Sequence, residues 1–178
     1  MNVLVGYSSA HGSTEGVASA IAVRLRLECQ DVSLRSIDEV DSLDGVDAVV
    51  LGSAIHNRAW LPPAIAFVEE HTPELSDRPL WLFSVSSVGD TSSVFGPRVA
   101  RKMLQMRPEP AIVSSWRTRL HVRDHRNFAG VVQRSDWGLV GAIFIRVLGG
   151  KYGDHRDWWD IDLWADTIAT FLGHATNT

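Results

Sequence analysis

Residues 7–16 read YSSAHGSTEG, between a strand-like run, NVLVGY, and a helix-like run, TEGVASAIAVRLRLE. Ser9, Ser13 and Thr14 offer hydroxyl donors at that junction, His11 offers a ring N–H, and Gly12 lets the backbone approach a ligand closely. Amides at the start of a helix carry partial positive charge and have no partner within the helix. The stretch therefore suits an anion, and phosphate is the favoured one. The blander reading of the same residues is a polar turn closed by a Ser/Thr cap.

Other chemistries fit poorly. A nucleotide P-loop needs a lysine after its second glycine, and there is none here; the dinucleotide fingerprint G-x-G-x-x-G is also absent. A receiver-type site would end strands one and three in acidic residues, whereas this chain has Tyr7-Ser8 and Gly52-Ser53. No Ser-His-Asp set, HExxH motif or pair of catalytic carboxylates stands out, so no residue is assigned as catalytic. The lone cysteine, Cys29, excludes an internal disulfide framework and a cysteine-cluster metal site.

The elements that must carry the loop are legible from hydropathy. NVLVGY (2–7), DAVVLGS (47–53), PLWLFSVS (79–86) and PAIVSSW (110–116) read as buried strands, and DVSLRSI (31–37) as an edge strand. Helical patterns cover Thr14–Glu28, Pro62–His71 and about Val94–Met106. Strand and helix alternating in this way predict an α/β fold with a parallel sheet and helices on both faces. In such a sheet ligands sit at the carboxyl ends of the strands, where SSAHGST falls.

With these residues in place, the chain resembles the flavodoxin-like family. The family's phosphate loop, S/T, two residues, G, one residue, T, is matched by Ser9, Gly12 and Thr14. GSAIHNRAW (52–60) and SVSSVGD (84–90) fall where that family holds its flavin ring. In more detail the chain is similar to the menaquinone-dependent protoporphyrinogen dehydrogenase branch, through VVLGSAIHNRAWLPPAIAFVEEH, LWLFSVSSVGD…ARKML and GGKYGDHRD. The resemblance implies a doubly wound, five-stranded parallel sheet of order 2-1-3-4-5 in one domain over 1–178, with a loop-and-helix insertion at about 117–150.

The resemblance also implies FMN as cofactor, with a deazaflavin as the alternative. The phosphate would lie on Ser9, Ala10, His11, Gly12, Ser13 and Thr14. The ring would lie between Ser53, Ala54, Ile55, His56, Asn57 and Trp60 on one side and Ser86, Ser87, Val88, Gly89 and Asp90 on the other. Trp60 is equally expected as core packing, and Asp90 as a turn residue. The implied activity is a flavin-dependent oxidoreductase acting between a porphyrinogen or quinone-class substrate and the cofactor; a non-enzymatic electron carrier is the competing reading.

Residues 117–134 hold five arginines and two histidines against one carboxylate, Asp124. Placed after strand five, this segment would lie over the flavin edge and favour an anionic partner. Aromatics nearby are too few to suggest nucleic acid. WGLVGAIFIRVL (137–148) is apolar nearly all round, so 135–150 is expected to pack inside or to make peripheral membrane contact. Its apolar run is too short to span a bilayer. With 178 residues, a net charge of −4 and no apolar leader at Met1, the chain is expected to be cytoplasmic, with the inner face of the membrane as a peripheral site.

Overall fold

The computed structural model describes residues 1–28, 31–106, 109–133 and 149–175. Strands β1 (Asn2–Ser8), β2 (Asp31–Ser36), β3 (Ala48–His56), β5 (Leu80–Ser86) and β6 (Val122–Ala129) form a parallel sheet in the order β2-β1-β3-β5-β6. The two-residue β4 (Ala59–Trp60) folds back antiparallel on the end of β3. Without β4 this is the expected 2-1-3-4-5 order, with the topological switch between β1 and β3.

Alternate side chains of each central strand feed opposite cores, which is why the strands read as unbroken apolar runs. Val3, Val5, Val50, Trp81 and Phe83 pack under α1 (Ser13–Leu25) and the closing helix. Leu4, Val49, Leu51, Leu80 and Leu82 pack on the other face with α2 (Pro62–Glu70), α3 (Thr72–Ser76) and Val113 and Trp116 of α5 (Ala111–Arg117). The closing helix, α6 (Trp158–Ala175), buries Ile161, Trp164, Ala165, Ile168 and Leu172 beside α1. Pro62 and Pro63 open α2, where no amide donor is lost.

One strand expectation is corrected. PAIVSSW (110–116) is not the fifth strand but the short helix α5. Val113 and Trp116 lie three residues apart on one helical face and are buried, while Ser114 and Ser115 face outward, a helical rather than a strand period. The fifth sheet strand is β6, VRDHRNFA, inside the segment that reads as polar and irregular. As an edge strand with only one paired neighbour, β6 keeps its charges because each has a partner on α6 or a loop. Residues 122–129 of the basic segment are thus an edge strand of the sheet.

α4 (Pro97–Met106) begins three residues later than expected and has no fully buried residue. Val99, Ala100, Met103 and Leu104 rest on a small satellite core of Val88, Val94, Phe95 and Val132, beyond the carboxyl end of the sheet. The 135–150 segment lies outside the described residues except for Gly149 and Gly150. No helix among the described residues is long and apolar enough to cross a membrane.

Candidate functional site

Strand register brings the three expected loops to one edge. Ser8 pairs with Ser53, Ser53 with Ser84, and Ser84 with Asn127, so one row of residues crosses β1, β3, β5 and β6. The loops after Ser8, after His56 and after Ser86 leave the sheet side by side at its carboxyl end. This is where an open α/β sheet binds ligands.

The first loop turns into α1 through Gly12, whose φ of 81° lies in the left-handed region that other residues adopt at a cost. Gly12 donates its N–H to the hydroxyl of Ser9 at 3.0 Å, which closes the loop. No side chain caps the helix, so its first-turn amides are left for an outside acceptor. Thr14 is fully buried, yet its hydroxyl has no hydrogen-bond partner among the described residues. A buried hydroxyl without a partner costs roughly 1–3 kcal/mol, so it marks a place where a ligand would complete the bonding. Ala10 and His11 are exposed at the loop tip.

Ser13 also fastens a second part of the chain. Its hydroxyl accepts the N–H of Val131 at 2.9 Å, fastening the chain after β6 to the start of α1. That bond uses a lone pair of the hydroxyl, so its proton and the Ser13 backbone N–H both remain for an anion. Gly130 makes this contact possible: a Cβ there would sit 2.6 Å from the Ser13 hydroxyl oxygen. β7 (Val131–Val132) then pairs antiparallel with β8 (Gly153–Asp154), so the GGKYGDHRD segment is sewn beside the turn into α1. Arg156 lies over Gly16 of α1, where a Cβ would fall 2.2 Å from its guanidinium, and pairs with Asp154 at 2.6 Å.

The second loop is a tight hairpin. Ile55 pairs with Trp60 and His56 with Ala59. Asn57 and Arg58 between them have φ of 49° and 68°, the two left-handed positions of a two-residue hairpin turn. Ser53 holds its base by accepting the N–H of Leu61 at 3.0 Å. Ala54 and Ile55 are partly exposed, and His56 and Asn57 fully so. Of its two expected places, Trp60 takes the core. It is 2% exposed and packs edge-to-face on Trp116, with ring centroids 5.1 Å apart.

The third loop is tied to itself and to β6. The Ser86 hydroxyl accepts the Val88 N–H and donates to the Val88 carbonyl. Ser87 accepts the N–H of Val94, and Gly89 donates to Ser92. Gly89 lies so close to β6 that a Cβ would be 2.3 Å from the Ala129 nitrogen. Asp90 stays exposed while its carboxylate accepts two hydrogen bonds from Asn127.

The arginine-rich segment is largely neutralised. Arg117 pairs with Glu109, Arg119 with Glu69, and Arg126 with Asp160 and Asp90, while Arg123 lies 4.8 Å over the Phe171 ring. Arg119 and Trp116 together hold the Glu69 carboxyl below the usual carboxylate range.

Two buried polar residues of the neighbourhood carried no motif. Ser84 and His125 are 1% and 9% exposed, and the hydroxyl meets the ring nitrogen Nε2 at 2.9 Å. The available sequence signal was a serine inside the apolar run LWLFSVS, since a buried hydroxyl requires a partner.

A doubly wound parallel sheet with an uncapped glycine turn at the switch point and two further loops beside it defines an α/β nucleotide- or flavin-type binding fold. The flavodoxin-domain family model matches residues 4–157, and the chain belongs to that family. The fold resembles a flavodoxin from the domain Archaea at 18% identity, over 96% of this chain and 97% of that one, with a TM-score of 0.56. It resembles the two-electron reduced Megasphaera elsdenii flavodoxin at 18% identity, over 70% and 84% of the two chains, with a TM-score of 0.51. Rubredoxin oxygen:oxidoreductase from Desulfovibrio gigas shares the fold at 18% identity over 99% of this chain but 37% of its own, with a TM-score of 0.55. No curated protein sequence matches the chain significantly.

Proposed function

We propose that the protein is an FMN-dependent oxidoreductase whose flavin phosphate sits at the start of α1. The buried hydroxyl of Thr14, unpartnered among the described residues, carries the proposal. It stands beside an uncapped helix start, and a phosphate oxygen is the acceptor both lack. In this reading Ser9, Gly12 and Thr14 bind the phosphate with the amides of residues 10–14. Residues 54–57 of the hairpin and the backbone of residues 86–89 border the ring. When bound, the flavin supplies electron and hydride transfer, which explains why the protein needs no acid–base set of its own.

The protein's own contribution is positioning. The hairpin and the 86–90 loop are each held by internal hydrogen bonds before any ligand arrives, so little ordering remains to be done on binding. FMN is preferred over a deazaflavin with an acidic tail because Arg117, Arg119 and Arg126, which such a tail would use, already have carboxylate partners. A quinone or porphyrinogen as the second substrate rests on the likeness of VVLGSAIHNRAWLPPAIAFVEEH, LWLFSVSSVGD…ARKML and GGKYGDHRD to the menaquinone-dependent branch. Contact of 135–150 with a membrane surface belongs to the same proposal.

The test is a titration of the full chain with FMN and with a deazaflavin, followed by reduction of the loaded protein and addition of a quinone. Quenched flavin fluorescence and reoxidation by quinone are expected. Binding of FMN without reoxidation would make the protein a carrier, and binding of neither cofactor would end the flavin reading.

A further inference from the structure

A chain of hydrogen bonds runs through the core directly beneath the hairpin. The indole N–H of Trp60, in β4, donates to the Ser84 hydroxyl at 2.8 Å. Ser84 has a single proton to give, and 2.9 Å away lies Nε2 of His125. The arrangement that satisfies every group has Ser84 donating to Nε2 and the imidazole proton on Nδ1. That nitrogen faces Glu109 at 3.3 Å. Glu109 is held in turn by the Ser114 hydroxyl at 2.9 Å and by Arg117 at 3.0 Å. The line thus crosses from β4 through β5 and β6 to the flank of α5, and its middle members are all buried.

β4 is only two residues long and pairs with β3 alone, so the sheet by itself holds it weakly. The indole bond to Ser84, the Trp116 contact and the Ser53 bond to Leu61 are what fasten it. We propose that Ser84 and His125 are positioning residues for the cofactor site, fixing the Trp60 anchor and thereby the height of the 54–59 hairpin against the ring. The proposal rests on the flavin reading above. It assigns a role to two residues that touch neither the phosphate loop nor the hairpin tip. Because the relay reaches only the ring side, its loss should be felt by the isoalloxazine and not by the phosphate.

Ser84→Ala removes one buried oxygen, and His125→Leu removes the ring while nearly keeping its volume. His125→Gln restores an acceptor for the serine. The readouts are the dissociation constants of FMN and riboflavin and amide hydrogen exchange at residues 54–60, on the full chain. The expectation is that Ser84→Ala and His125→Leu weaken FMN and riboflavin by the same factor, roughly tenfold for one lost buried bond. They should also speed exchange in the hairpin while leaving β1 unchanged. His125→Gln should recover most of the loss. Variants that bind both flavins as the wild type does, with unaltered hairpin exchange, would overturn the proposal alone. Wild-type protein that binds neither flavin would overturn the reading beneath it.

Discussion

Asp90 and Asn127 are joined by three hydrogen bonds. The Asp90 N–H donates to the Asn127 carbonyl at 2.9 Å, and the Asp90 carboxylate accepts the Asn127 backbone N–H at 3.0 Å and its side-chain amide at 3.2 Å. The pair clips the loop after β5 to the edge strand β6, so a residue expected at the rim of a flavin site acts as a strut between loop and strand. Asp90→Ala is expected to lower stability by about 1–2 kcal/mol. Urea denaturation of wild type and variant, with an unchanged m-value, checks the figure. Asp90→Asn, which keeps one acceptor, should recover part of it.

Thr14 gives a prediction with two signs. Thr14→Val removes a buried hydroxyl that has no partner among the described residues, so the ligand-free protein should gain up to about 1 kcal/mol. The same change should weaken FMN by about tenfold while sparing riboflavin, because a charge-assisted bond to phosphate is lost. Thermal unfolding with and without FMN shows both effects. A variant that is less stable without ligand would mean that Thr14 already has a protein-side role.

The burial of His125 makes stability depend on pH. Desolvation pushes its imidazole down to about 4, Arg117 acts in the same direction, and Glu109, Asp90 and Asp124 oppose it. An unfolded chain takes up this proton near the ordinary value of about 6.5 and the folded protein only near 4. Stability therefore falls as pH drops from about 6.5 to 4 and levels off below, at a cost of about 3 kcal/mol from this one group. Unfolding free energies of wild type and His125→Gln at pH 7, 5.5 and 4.5 isolate it, with the smaller decline expected in the variant.

Gly52 illustrates how closely β3 and β5 are matched. A Cβ there would lie 1.9 Å from the Phe83 ring. Gly52→Ala should cost about 1–3 kcal/mol by overpacking, and adding Phe83→Leu should return part of it. Chemical denaturation of the single and double variants measures the coupling.

The sequence displayed the frame of this fold because three central strands are buried on both faces and have no choice but to be apolar. β6 was hidden for the opposite reason. At the sheet edge, Arg123, Asp124 and Arg126 can stay charged by meeting Phe171, Trp164 and Asp160 across long sequence gaps, and no local pattern reveals those partners. PAIVSSW was ambiguous because a short apolar run fits a strand or a buried helical turn equally well. The glycine turn into α1 was legible because its residues are local. The fate of Ser13 was not, since Val131 reaches it from 118 residues away. Trp60 and Asp90 sat where loop chemistry was expected, and only the fold shows one in the core and the other as a strut.

The occupancy of the α1 start can be measured directly. Backbone amide shifts of residues 9–15 should be followed by NMR as FMN, and separately riboflavin, is added to the full chain. FMN should move the amides of Gly12, Ser13, Thr14 and Glu15, whereas riboflavin should move those of the 54–59 and 86–90 loops and leave the α1 start still. FMN that leaves residues 9–15 unmoved, or that binds through another face of the protein, would contradict a phosphate site at this helix.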